Sequence, residues 1–137
     1  MAYGKVVRLL VLAPALLFWG CASMLVPGEM LDSSIRSYQQ MIRWQEPNGA
    51  AAFVEPGRRA DYLERLAALD KIKIVEYEIK RVELTDKDMK AQVTVEFKYH
   101  HLDTIVVKSV IDEQKWEYES EGKQVGWHLI SLPPQFP

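Results

Sequence analysis

Ala91-Gln92-Val93-Thr94-Val95-Glu96-Phe97-Lys98-Tyr99-His100 is the stretch that decides the architecture. Apolar side chains hold the odd positions and polar ones the even positions. Successive strand residues point to opposite faces, so this alternation describes a strand with one face in a core and the other in water. A parallel sheet buried between helix layers would need a continuous apolar run instead. The sheet is therefore expected to be antiparallel and covered on one side.

Working outward, Asp86-Lys87-Asp88 marks the turn before this strand. Ahead of it, Val75, Tyr77 and Ile79 alternate with Glu76, Glu78 and Lys80, and the phase then moves to Val82 and Leu84, which places a β-bulge near Lys80 and Arg81. On the other side, a turn near Leu102 and Asp103 leads into a third strand from Thr104 to Tyr118. Gly122 marks another turn, and Val125 to Leu132 is the last strand before Pro133 and Pro134 stop it. In the third strand Ile105, Val107 and Ile111 share one parity, while Val106, Val110, Asp112, Gln114, Trp116 and Tyr118 share the other, so a bulge near Asp112 is expected.

Upstream, Leu31, Ile35, Tyr38 and Ile42 recur at helical spacing with Met41 beside them, and residues 31–45 read as an amphipathic helix that Pro47 ends. Asn48 is placed to cap a short helix through Ala50, Ala51 and Ala52. Pro56 pre-sets the first turn of a third helix with Tyr62, Leu66 and Leu69 on its apolar stripe. Helices followed by four hairpin-linked strands make an α+β domain, in which N-terminal helices cover one face of a curved four-stranded antiparallel sheet and the sheet wraps the first helix.

At 137 residues, 48% apolar and 26% charged, the composition is that of one globular domain. Lys5 and Arg8 are the only charged residues before Cys21, so the remainder carries −4 of formal charge, which argues against a nucleic-acid partner. A single cysteine excludes an intramolecular disulfide and confines any metal site to His and carboxylate ligands. Lys5 and Arg8 precede an apolar run from Leu9 to Trp19, the layout of a secretory signal and too short for a comfortable span of roughly 20 residues. Leu16-Leu17-Phe18-Trp19-Gly20-Cys21 resembles a bacterial lipobox, although Phe18 and Trp19 depart from its usual preferences. The division expected is a signal peptide over 1–20, a lipidated tether over 21–29 and one domain over 30–137. Ala22 after the cysteine resembles the pattern sorted to the outer membrane, with the domain facing the periplasm.

The element order, with Val110-Ile111-Asp112-Glu113-Gln114-Lys115-Trp116-Glu117-Tyr118, then Gly122 and Trp127-His128-Leu129, resembles the nuclear transport factor two-like superfamily over residues 30–132. The resemblance implies a cone in which three helices and a curved sheet enclose a cavity. Its members include isomerases, dehydratases, oligomerisation modules and exported lipoproteins, and its enzymes place an Asp or Glu base with His or Tyr donors inside the cone.

The inward positions of the two best-phased strands, Val75, Tyr77, Ile79, Val93, Val95, Phe97 and Tyr99, offer neither acid nor histidine. Asp112 is the single carboxylate that can face the cavity, with Tyr77, Tyr99 and Trp116 as neighbours; the competing role is a turn or edge residue in contact with water. His100 and His101 leave opposite faces of a strand and His128 stands alone, so no metal site is expected, and no cofactor motif occurs. Trp44 lies off the helical stripe and suits an exposed position. Three functions follow in order of preference. The first is a lipid-anchored, non-catalytic envelope module that docks to another envelope protein or a second copy through the polar strip Thr94, Glu96, Lys98 and His100. The second is a small-molecule carrier using the cone interior, and the third an isomerase or hydrolase using Asp112.

Overall fold

Helices come first and strands second. The computed structural model describes residues 27–87 and 89–137; the leader and Cys21 lie outside the described residues. Helix α1 (Pro27–Arg43) is followed by α2 (Pro47–Ala51), a 3-10 turn (Pro56–Arg58), α3 (Arg59–Leu66) and a second 3-10 turn (Ala67–Lys71). The strands are β1 (Ile72–Thr85), β2 (Lys90–His101), β3 (Lys108–Glu119) and β4 (Gly126–Leu129), paired antiparallel in the order β1-β2-β3-β4.

The stripe of α1 buries Leu31, Ile35, Tyr38 and Ile42, and Gln39 lies with them, four residues after Ile35. Pro27, Gly28 and Glu29, read from the sequence as the end of a tether, are helical and belong to α1. Gln45 (φ 57°) stops the helix in the left-handed conformation, with Glu46 N–H bonded to Met41 O and Gln45 N–H to Ile42 O, a Schellman closure made without glycine. The Gln45 side chain then donates to Leu69 O (2.9 Å) and Ile72 O (3.1 Å), tying the end of α1 to the start of β1. Pro47 opens α2, and the cap expected of Asn48 is not made: Glu46 holds that position.

The sheet carries the expected shift between Ile79 and Arg81 and a second one between Ile74 and Glu76. That second bulge corrects the assignment of Val75. It is turned out and 42% exposed, while Ile72 and Ile74 are buried in its place. Strand β3 pairs with β2 in one unbroken register from Lys90↔Glu117 to Tyr99↔Lys108, so the bulge expected near Asp112 is not there. Val110, Asp112, Gln114, Trp116 and Tyr118 all turn inward, and Ile111 faces water. Nor does β3 begin at Thr104. Residues 102–107 form an exposed connection in which Ile105 is 92% accessible, because a β-branched run with no strand to pair has only its propensity to recommend it.

Helix α1 contacts both edge strands, β1 and β4, so the sheet curves around it. Tyr38, Phe53 and Trp116 meet edge-on at 5.6–6.5 Å between ring centres and form the middle of the core. Leu129 locks the helical layer down: its N–H donates to Phe53 O (2.8 Å) and its carbonyl accepts from Glu55 N–H (3.0 Å). The bulge makes a sharp prediction about two adjacent residues. Ile74→Ala should cost about 2–4 kcal/mol in urea unfolding and Val75→Thr less than about 0.5 kcal/mol; the reverse ranking would move the bulge.

Candidate functional site

Three polar side chains lie inside the core: Gln39 of α1 and Asp112 and Gln114 of β3. Each is there by periodicity, Gln39 on the helical stripe and the other two on the inward parity that also buries Trp116. An amide taken from water without partners costs about 1–3 kcal/mol, so what they bond to matters. Gln114 is the hub. Its Oε1 accepts from Gln39 Nε2 (2.8 Å) and Trp116 Nε1 (3.2 Å), and its Nε2 donates to Asp112 Oδ2 (2.7 Å) and Gln39 Oε1 (3.3 Å).

Asp112 is only 5% exposed. Burial pushes its carboxyl up to about 6, the bond from Gln114 pulling downward and the Glu113 charge adding slightly to the rise. The Tyr38 and Tyr62 hydroxyls lie 2.7 Å apart, either one able to donate. Burial raises both phenols well above the ordinary value, and the charge on Asp112 adds to each.

Of the four residues proposed from the sequence to share a site, Asp112 and Trp116 are joined through Gln114. Tyr77 lies half-buried with its ring 6.4 Å from Phe97, and Tyr99 lies under Phe136 at 5.0 Å. The tyrosines that feel Asp112 are Tyr38 and Tyr62, which the helical stripes place simply in the core. Gln39 and Gln114 had a signal too: each is a polar residue at an apolar phase of its own element.

Among the histidines, His100 Nδ1 lies 2.8 Å from His101 O, and His128 Nε2 lies 2.6 Å from Gln124 O. Among the described residues, no group of three or more His, Cys, Asp and Glu is placed to hold a metal ion, and no helix is long and apolar enough to cross a membrane. Trp44 is exposed, whereas Trp127 is buried and donates to Pro27 O (2.7 Å).

Surface cavities among the described residues include five of about 140–490 Å³. One of about 270 Å³ is walled by Glu55, Glu117, Glu119, Glu121 and His128, and one of about 360 Å³ lies between the helices, against Pro47, Leu63, Leu66 and Leu69. Asp112, Gln39 and Gln114 line none of the five. On the outer face of the sheet Lys80 pairs with Glu78 and Glu96 and Lys98 with Glu76, while Glu113 accepts a hydrogen bond from the Thr94 hydroxyl.

A carboxyl raised by folding stabilises the protein when protonated. Its contribution is complete below the unfolded value, near 4, and is lost as pH rises through about 6. Asp112→Asn should therefore match the parent at pH 4 and exceed its stability by about 2–3 kcal/mol at pH 7.5. Urea unfolding across that range checks this, and parallel profiles for the two proteins would contradict it.

No family model matches the chain, and no curated protein matches it significantly. Solved structures do. A ketosteroid isomerase-like protein from Erwinia carotovora atroseptica superposes with a TM-score of 0.56 at 15% identity, over 73% of this chain and 88% of that one. A SEC-C motif containing protein from Rhodopseudomonas palustris gives 0.56 at 11% identity, over 76% and 84%. At such identities the likeness concerns the fold, and with the helices packed inside a curved four-stranded sheet it establishes a nuclear transport factor two-like cone.

Proposed function

We propose that this chain is a lipid-anchored, non-catalytic accessory module of the cell envelope that docks to another envelope protein. The observation that supports the non-catalytic part is the burial of Asp112. Asp112 is bonded to Gln114, is 5% exposed and lines none of the five cavities, whereas a carrier needs open space and an enzyme needs a carboxylate its substrate can touch.

Two surfaces are open to docking, the polar strip Thr94, Glu96, Lys98 and His100 expected from the sequence, part of whose charge is held in ion pairs, and an apolar one that we favour. That surface is the connection between β2 and β3, where Leu102, Ile105, Val106 and Val107 are exposed within six consecutive residues. Clustered exposed apolar residues are the usual mark of an interface. Anchorage is through lipid on Cys21, placing the domain on the periplasmic side of the outer membrane. Five residues lie between Cys21 and Pro27, a reach of about 20 Å at most. The start of α1 lies beside Trp127, which pairs with Tyr118 at the far end of β3 from Lys108. Those ten residues of strand put the apolar connection about 30 Å along the sheet from the start of α1.

One observation favours a second reading, a small-molecule binding or isomerase-like domain: a carboxyl raised to about 6 beside two hydrogen-bonded phenols is suited to proton transfer. A structural neighbour is described as ketosteroid isomerase-like.

Photo-cross-linking in the native envelope separates the two. A probe at Val106 should give a protein adduct and the same probe at Thr94 none, and Cys21→Ser should release the domain or leave an uncleaved precursor. Recovery of a monomer with a bound metabolite and no adduct would transfer the choice to the carrier. Unchanged membrane retention of Cys21→Ser would remove the anchor.

A further inference from the structure

Beyond β4 the chain runs on toward the Lys108 end of β3 and passes onto the inner face of the sheet. Ile130 N–H bonds to Lys115 O (2.9 Å), and Ser131 Oγ accepts from Lys115 N–H (3.1 Å). Pro133 and Pro134 then have no N–H to offer, so the segment cannot continue β4 along β3. It passes α3, where Leu132 shares a cavity wall with Asp61, Glu64 and Arg65. The Phe136 ring then sits edge-on to Tyr99 (5.0 Å, 79°) and 6.0 Å from Phe97. Next to it, the backbone oxygen of Pro137 accepts from the Tyr99 hydroxyl (2.5 Å) and Lys108 Nζ (3.4 Å), with His101 Nε2 at 3.2 Å.

The receiving surface and its occupant are held very differently. Tyr99 and Lys108 are register partners on β2 and β3, so the aromatic slot and the donors at its rim are fixed by the sheet. Among the described residues, no backbone hydrogen bond ties 132–137 to a strand. The segment is held by one ring, one oxygen and the packing of its prolines.

We propose that the inner face at the Tyr99–Lys108 end is a binding site for a short extended peptide that carries an aromatic residue next to an oxygen acceptor, and that residues 132–137 occupy it in cis as a competitor. The chemistry of the ligand class is read from the occupant: a ring for the slot between Phe97 and Tyr99, and an oxygen for the donors. A partner's peptide binds only when the chain's own segment lifts away. The site lies on the inner face at the end of the sheet where the apolar connection joins β2 to β3, and it is independent of the anchor.

The test uses a labelled synthetic peptide of residues Leu132–Pro137 and the chain shortened after Ser131, with binding followed by fluorescence anisotropy and folding by circular dichroism. The shortened chain should bind the peptide. The full chain should bind it at least about tenfold more weakly, since an attached segment competes at an effective concentration in the millimolar range. Alanine in place of the peptide's phenylalanine should abolish binding, and Tyr99→Phe in the shortened chain should weaken it severalfold. A folded shortened chain that ignores the peptide at millimolar concentration overturns the proposal, and so does equal binding by the full chain. If the shortened chain does not fold, full-length Phe136→Ala decides: capture of the peptide supports the site and no capture overturns it. Loss of folding in both would make the segment a fixed part of the core, which also overturns it.

Discussion

The amide pair between Gln39 and Gln114 is the contact on which the rest of this structure turns. It joins residues 75 positions apart and fixes the first helix against the third strand at a point where neither partner can turn to water. Sliding α1 by one turn would orphan the Gln39 amide and strip Gln114 of its helical partner, while the bonds of Gln114 to Asp112 and Trp116, all on β3, would remain. Hydrophobic burial is non-directional and supplies stability without choosing a register; the buried polar contacts choose it. Asp112 depends on the same hub, since Gln114 provides its hydrogen bond.

From that arrangement the character of the molecule follows. Around that hub sits a carboxyl that burial raises to about 6, and the proposed docking role turns on the surfaces outside it. Those surfaces differ. The outer sheet face holds part of its charge in ion pairs, the connection between β2 and β3 leaves apolar side chains in water, and the inner face at that same end holds residues 132–137 by Phe136 and a single backbone oxygen. Two of these three are unfinished in the sense that matters for recognition: one lacks a cover, and the other has a cover with no backbone bond to the strands.

Much of this was legible in the residues. Strand β2 alternates without exception, and its register fixes the sheet. The bulge at Ile79–Arg81 announces itself because Lys80 and Arg81 interrupt the alternation. The bulge after Ile74 does not, since Ile74 and Val75 are both apolar and either could be the inward one. Thr104 to Val107 has the composition of a strand, and only the absence of a partner on its path leaves it exposed, which no local pattern records. Asp112 is visible as an inward carboxylate from the parity of Trp116 and Tyr118. Its companions Gln39 and Gln114 are not, because a polar residue at an apolar phase signals a buried network only once its partner from another element is known.

The burial of Asp112 is tested most directly at the residue itself, by following its side-chain carboxyl carbon in the folded full-length protein by NMR as pH is varied. A single titration with its midpoint near 6 is the result expected of a carboxyl sealed in the core beside Gln114. A midpoint near 4, the ordinary aspartate value, would mean that water reaches the group and that the cone is open.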